Sequence, residues 1–164
     1  MPNWCENELT IEGKGAGEAA RSLAGENGLL DFATVVPQPE IVTRVQTGGR
    51  KFNGEYVTEW YASDGEERPL TDDERAQLSA LGVTSWYDWN ISNWGTKWNA
   101  DELQGEPAIE ENFAEFSFLT AWSPPTAFAE ALSAKFPQLR VTLHYHDPGC
   151  GIHGLDTYGP TEAA

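Results

Sequence analysis

The chain has 164 residues, 26 of them Asp or Glu and 10 Lys or Arg, for a formal net charge of −16. This length is one domain by size and can bury a core without disulfide or metal staples. Hydrophobic residues at 40% and aromatics at 12% exclude a disordered chain, and the acid excess argues against direct binding to duplex nucleic acid or anionic lipid, both of which need cations.

The opening residues Met1-Pro2-Asn3-Trp4-Cys5-Glu6 lack the basic-then-apolar order of a signal peptide. No stretch approaches the roughly 20 apolar residues that cross a bilayer, so a cytoplasmic, reducing setting is expected. Cys5 and Cys150 are then free thiols. From Trp4 to Ile11 the chain alternates, with Cys5, Leu9 and Ile11 on one face and Glu6, Glu8 and Thr10 on the other. That is a half-buried strand. Gly13, Gly15 and Gly17 make a flexible turn; no Lys-Ser/Thr pair completes a phosphate loop. A short helix from Glu18 to Leu23 ends near Gly25. The apolar run from Leu30 to Val36 meets Pro37 and Pro39, and residues 47–54 read as a loop. Thr71 and Glu74 form a capping box for a helix whose apolar side is Ala76, Leu78 and Leu81, ended by Gly82. The densest aromatic stretch follows, from Trp86 to Trp98.

A second strand is expected from Lys97 to Leu103, with a turn at Gly105 and Pro107. The clearest strand runs from Phe113 to Trp122, with Phe116, Phe118 and Trp122 on one face and Leu119 and Ala121 on the other. Beyond Pro124-Pro125, Thr126 is expected to cap a helix carrying the stripe Phe128, Leu132 and Phe136, which Pro137 stops. From Arg140 to His146 a last strand turns Val141, Leu143 and Tyr145 inward and His144 and His146 outward. The Gly- and Pro-rich tail is assigned no element, and its last residues are expected to fray. Strand, helix, insertion, strand, strand, helix, strand is the split βαβ order of an α+β ferredoxin-like sandwich: four antiparallel strands with two helices on one face. Residues 1–164 make one such domain. The insertion, roughly residues 30–95, is too long for a structureless loop and should pack on it.

Four pieces of the chain together resemble a known family. They are Met1-Pro2-Asn3-Trp4-Cys5-Glu6-Asn7, Asn93-Trp94-Gly95-Thr96-Lys97-Trp98-Asn99, Thr120-Ala121-Trp122-Ser123-Pro124-Pro125, and Tyr145-His146-Asp147-Pro148-Gly149 with Gly151 and Gly154. In this order they resemble the YubB-like ferredoxin-fold domain of bacteriophage and conjugative-plasmid proteins. That family is largely uncharacterised, so the resemblance implies a fold and a mobile-element origin rather than an activity. The chain departs from the family at Cys150 and His153, where Met- or Phe-like and small or apolar residues are expected.

Three constellations bear on function. His144, His146, Cys150 and His153 could make a metal-dependent hydrolase site, but one loose ligand run lacks the paired knuckles of a structural site. Exposed strand histidines are the simpler reading; no metal and no cofactor is expected. Carboxylates fill residues 98–134, which hold no Lys or Arg, and residues 55–75, which hold eight acids against Arg68 and Arg75. They show no ligand-loop spacing and read as a solvated negative surface that could meet a basic host protein. Finally, Asn93, Trp94, Thr96, Lys97, Trp98 and Trp122 could form a stacking pocket for a nucleotide. The alternative is that Trp94, Trp98 and Trp122 are structural anchors, each indole N–H satisfied by a carbonyl. Anchors are the preferred reading, with Trp98 and Trp122 meeting at one end of the sheet and Trp4 close by. The expected function is therefore non-enzymatic: an acidic accessory protein of a phage or plasmid that binds a host protein or ligand.

Overall fold

The computed structural model describes residues 2–161; the fraying expected of the tail end falls on residues outside that range. The chain divides into two compact units. The first runs up to Pro37 and resumes at Asn93; the second is Gln38–Ser92.

In the first unit, β1 (Trp4–Glu12) alternates as its sequence demands, with Cys5, Leu9 and Ile11 fully buried. Gly13 and Gly15 turn the chain with positive φ into α1 (Ala16–Arg21). Gly17 is needed in this helix, because a Cβ there would lie 2.0 Å from the Glu110 carbonyl oxygen. A single 3-10 turn, Phe32–Thr34, then delivers Phe32 to the core. Its ring stacks on Phe128 at 4.2 Å and meets Phe118 and Trp94 edge-on.

The second unit begins with α2 (Glu40–Thr43) and a three-stranded antiparallel meander, β2 (Val45–Phe52), β3 (Glu55–Ser63) and β4 (Glu66–Pro69). Residues 47–54 are therefore not a loop. Asn53-Gly54 and Asp64-Gly65 both have paired positive φ, the two-residue hairpin geometry that matches strand twist. Next comes α3 (Asp72–Ala80), with the expected capping box between Thr71 and Glu74. Arg68 holds the Glu74 carboxylate in a two-pronged pair at 2.8 and 2.9 Å, which lowers its pKa to about 2. Of the expected apolar side only Leu78 is buried; Ala76 and Leu81 are exposed. The aromatic stretch supplies a helix that alternation did not reveal, α4 (Trp86–Asn93).

Back in the first unit, the expected second strand is two short pieces, β5 (Asp101–Leu103) and β6 (Ala108–Ile109), both paired with β7 (Phe113–Ala121). The helix α5 (Thr126–Lys135) buries Phe128 and Leu132. Thr126 is its first residue; Pro125 holds the cap position, and no side chain caps it. Then come β8 (Arg140–Asp147) and β9 (Ile152–Tyr158). The order β5-β7-β1-β8-β9, antiparallel throughout, contains the ferredoxin-like arrangement. It corrects the four-strand expectation: the Gly-rich tail adds a fifth strand at the β8 edge, and the opposite edge is split by β6. Among the described residues no helix is long and apolar enough to cross a membrane.

Leu9, Ile11, Leu143, Phe128 and Leu132 are fully buried between sheet and helices. Each contributes about 1.5–3 kcal/mol of apolar burial. The opposite face of the sheet is exposed along β1, β8 and β9.

Candidate functional site at one end of the sheet

The four sequence pieces, drawn from both ends and the middle of the chain, meet where β1 begins and β7 and β8 end. Trp4 pairs with Ala121 and Glu6 with His146. The Trp122 amide donates to the Asn3 carbonyl at 2.9 Å, and the Asn3 side chain donates to Cys150 Sγ at 3.4 Å.

Most of the polar groups here are turned inward. Asn7 sits on the core face of β1 between Cys5 and Leu9. Its amide donates to the Cys5 carbonyl at 3.0 Å and to Thr120 Oγ1 at 2.9 Å. The Thr120 hydroxyl donates to the Ser123 carbonyl at 2.8 Å, and the Ser123 hydroxyl to the Gly95 carbonyl at 2.7 Å. Burial, with the Asp147 carboxylate nearby, pushes the Cys5 thiol up to about 11. Asp147 is itself buried; its Oδ1 accepts from the Gly149 and Cys150 amides. Losing one partner from such a chain of buried groups costs about 1–3 kcal/mol. Sequence reasoning missed Asn7, Thr120 and Asp147. The signal available was polarity at positions whose strand parity is that of the core.

The six residues singled out as a pocket differ in burial. Trp94 is 3% exposed, and its indole donates to the Val36 carbonyl at 2.9 Å. Thr96 is buried and donates to the Ala121 carbonyl at 2.9 Å. Gly95 has φ +88, and a Cβ there would lie 3.0 Å from the Thr126 amide nitrogen. Asn93 is half-buried at the end of α4. Asn99, the last residue of the piece, accepts from the Phe32 amide and donates to Asp31. The anchor expectation therefore describes Trp94. Trp98 and Trp122 face outward, 38% and 45% exposed.

These two indoles share one cation. Lys97 Nζ lies 4.6 Å from the Trp98 ring centroid and 4.2 Å from that of Trp122, within the range of cation–π attraction. Trp4 backs Trp98, with centroids 6.3 Å apart, so the expected meeting of these indoles is present. Trp122 has φ +70. A bulky residue in the left-handed region is an outlier that costs about 1–2 kcal/mol. Here the hydrogen bond from its N–H to the Asn3 carbonyl and the buried Thr120 on its N-terminal side hold it.

On the open face of the same sheet, the three histidines of the chain, His144, His146 and His153, line a cavity of about 610 Å³ with Glu6, Glu8 and Ser117. Asp101, Leu119, Glu6, His146 and His153 form one row across five strands. His146 Nδ1 is 3.7 Å from Glu6 Oε2, both well exposed, so this pair adds little stability. Cys150 does not line the cavity. Among the described residues no group of three His, Cys, Asp or Glu side chains is placed to hold a metal ion.

Residues 93–163 match the profile of the family described as "Ferredoxin-like domain in Api92-like protein". The matched span starts at Asn93, the first residue of the motif that frames Trp94. A search of curated proteins gave no match. Among solved structures, the chain is similar to the protein api92 from Yersinia pseudotuberculosis. The TM-score is 0.54 at 15% identity, covering 97% of this chain and 95% of that one. At this identity the likeness shows the fold alone. The ferredoxin-like fold is thus reached from strand order and from the family profile.

Proposed function

We propose that the protein acts by binding rather than by catalysis. It is an acidic accessory protein of the YubB-like kind, carried by a phage or conjugative plasmid, that docks on a basic host protein in the cytoplasm. The observation that carries this reading is the outward pair Trp98 and Trp122 at the end of a sheet face bearing Glu6 and Glu8. Large aromatics give contact area at low entropic cost, and they dominate hot spots at protein interfaces. Neighbouring carboxylates steer a basic partner toward them. The net charge of −16 acts in the same direction at longer range.

The test is capture from host lysate on the immobilised protein at low and at high salt. The expected result is a basic protein retained at low salt, released at high salt, and not retained by a Trp98→Ala, Trp122→Gly double variant. Retention that is indifferent to salt and to both indoles defeats the reading.

A second reading is nucleotide capture, which would blunt a host defence signal. It is favoured by the Lys97 ammonium beside two exposed ring faces, since an indole can stack a base while a cation meets its phosphate. It predicts a thermal shift with nucleotides that Lys97→Ala abolishes.

A further inference from the structure

We propose that Trp98 and Trp122 form a seat for one cationic side chain, a Lys or Arg from a basic segment of the partner, and that Lys97 fills this seat in the free protein. The proposal rests on the partner reading above and names the chemistry by which the partner is recognised.

The seat already holds a cation. Lys97 Nζ lies within 4.6 Å of both ring centroids. The negative face of an indole attracts an ammonium or guanidinium. Both rings are open enough to receive a group from outside, at 38% and 45% exposed. Lys97 follows the buried Thr96, whose hydroxyl bond to Ala121 fixes the backbone. Its flexible four-carbon stem can leave the seat without moving that backbone. The seat itself is rigid: Trp4 backs Trp98, and the Trp122 amide is held by Asn3. The left-handed φ of Trp122 adds weight. Strained backbone of this kind persists only where its surroundings over-determine it, and it gathers at ligand sites.

The surroundings fit a basic segment. Trp4, Glu6 and Glu8 occupy alternate positions on the outward face of β1. Their spacing, about 7 Å, is also the repeat of alternate side chains in an extended peptide. Glu6 and Asp101 both pair in register with Leu119, so a second carboxylate lies in the same row on the far side of β7. A cation in the seat therefore puts the next basic side chains of an extended partner over Glu6 and Glu8. A nucleotide would use the same residues in the opposite sense, with its phosphate on Lys97. The two occupants respond to loss of Lys97 in opposite directions.

The experiment uses the full chain and an N-acetylated hexa-arginine amide, with AMP as the anionic aromatic probe, followed by calorimetric titration. The parent protein should bind hexa-arginine. Lys97→Ala should tighten that binding by about three- to tenfold, because removing a self-occupant raises the competent fraction. Trp98→Ala should weaken it by about tenfold, with Trp98→Phe recovering part of the loss. A Glu6→Gln, Glu8→Gln variant should weaken binding and flatten its salt dependence. Each variant is compared with the parent by thermal midpoint, and Trp98→Phe carries the test if Trp98→Ala does not fold. Unchanged or weaker hexa-arginine binding in Lys97→Ala overturns the proposal. AMP binding that Lys97→Ala abolishes overturns it in favour of the nucleotide. Hexa-arginine binding that ignores Trp98 but needs Glu6 and Glu8 removes the seat and leaves the basic-partner reading standing. No binding of hexa-arginine at low salt removes both.

Discussion

Trp122 offers a direct test of the strain at the sheet end, by replacing it with Gly and separately with Ala. The indole is 45% exposed, so slightly more than half of its surface is covered. A fully buried aromatic hides about 150–250 Å², so the covered part is on the order of 100 Å². At about 25 cal/mol per Å² its loss costs about 2–3 kcal/mol, and both variants lose it equally. They differ in the backbone. At φ +70 Ala keeps a left-handed penalty of about 1–2 kcal/mol, whereas Gly has none. Against this, Gly brings a more flexible unfolded chain, worth about 0.5–1 kcal/mol. Trp122→Gly should therefore be more stable than Trp122→Ala by about 0.5–1 kcal/mol, although at an ordinary position Ala leads by about that amount. Urea denaturation followed by circular dichroism resolves a reversal of this size from the two midpoints. An Ala variant as stable as the Gly variant, or more so, would refute the claim that strain is held at this residue.

Three further outcomes are expected. Trp94→Ala should cost about 3–5 kcal/mol, because it empties a buried site and strands the Val36 carbonyl. Trp98→Ala, at a site 38% exposed, should cost clearly less; the opposite ranking in urea denaturation would mean that anchor and seat are misassigned. Thr71→Ala removes one arm of the capping box and should cost about 1 kcal/mol, with Thr71→Ser nearly neutral in the same assay. In the native protein at mildly alkaline pH, one thiol should react with an aromatic disulfide reagent and a second only after unfolding, since Cys150 is exposed and Cys5 is buried. The Cys5 thiol is raised in the folded state from 9.0 to about 11. Its contribution to stability is thus intact below pH 9 and is lost as pH rises toward 11. Cys5→Ala should flatten that alkaline slope in melts taken across this window.

What was legible in the sequence follows from burial on one side. β1 and β7 each bury one face completely and β8 does so except at the half-buried Tyr145, so their period-two patterns stand out, and Phe128 and Leu132 mark α5 in the same way. β2 buries Val45 alone, and Gly48 and Gly49 interrupt any alternation, so residues 47–54 read as loop. The usable signal was in the turns. Asn53-Gly54 and Asp64-Gly65 are hairpin dipeptides, each with the paired positive φ that such turns demand. β9 is an edge strand with no buried face. Gly154, which in a strand usually suggests weakness, is there because the Tyr145 ring lies over it: a Cβ would stand 2.3 Å from the Tyr145 hydroxyl. The site was legible in part. The meeting of Trp4, Trp98 and Trp122 follows from hairpin pairing of β5 with β7, but which indoles turn outward does not. That depends on the φ of Trp122 and on the hydrogen bond that claims Trp94, neither of which has a period in the sequence.

The hydrogen bonding at the sheet end also explains why these sequence pieces are so unusual without invoking chemistry for all of them. Asn7, Thr96, Asn99, Thr120, Ser123 and Asp147 each satisfy a backbone group left open where strands end and the chain turns. Gly95 is fixed by its φ and by the closeness of the α5 start. A buried donor or acceptor tolerates few substitutes, so a run of such residues is as distinctive as an active site while doing structural work. Among the motif residues left after these are set aside are Lys97, Trp98 and Trp122. Trp98 and Trp122 present exposed ring faces with the Lys97 ammonium against both, and at φ +70 Trp122 carries a backbone penalty that Gly would not. A fold that keeps an indole there at that cost, facing solvent and holding a cation, places its binding chemistry on the outer side of a structural lock.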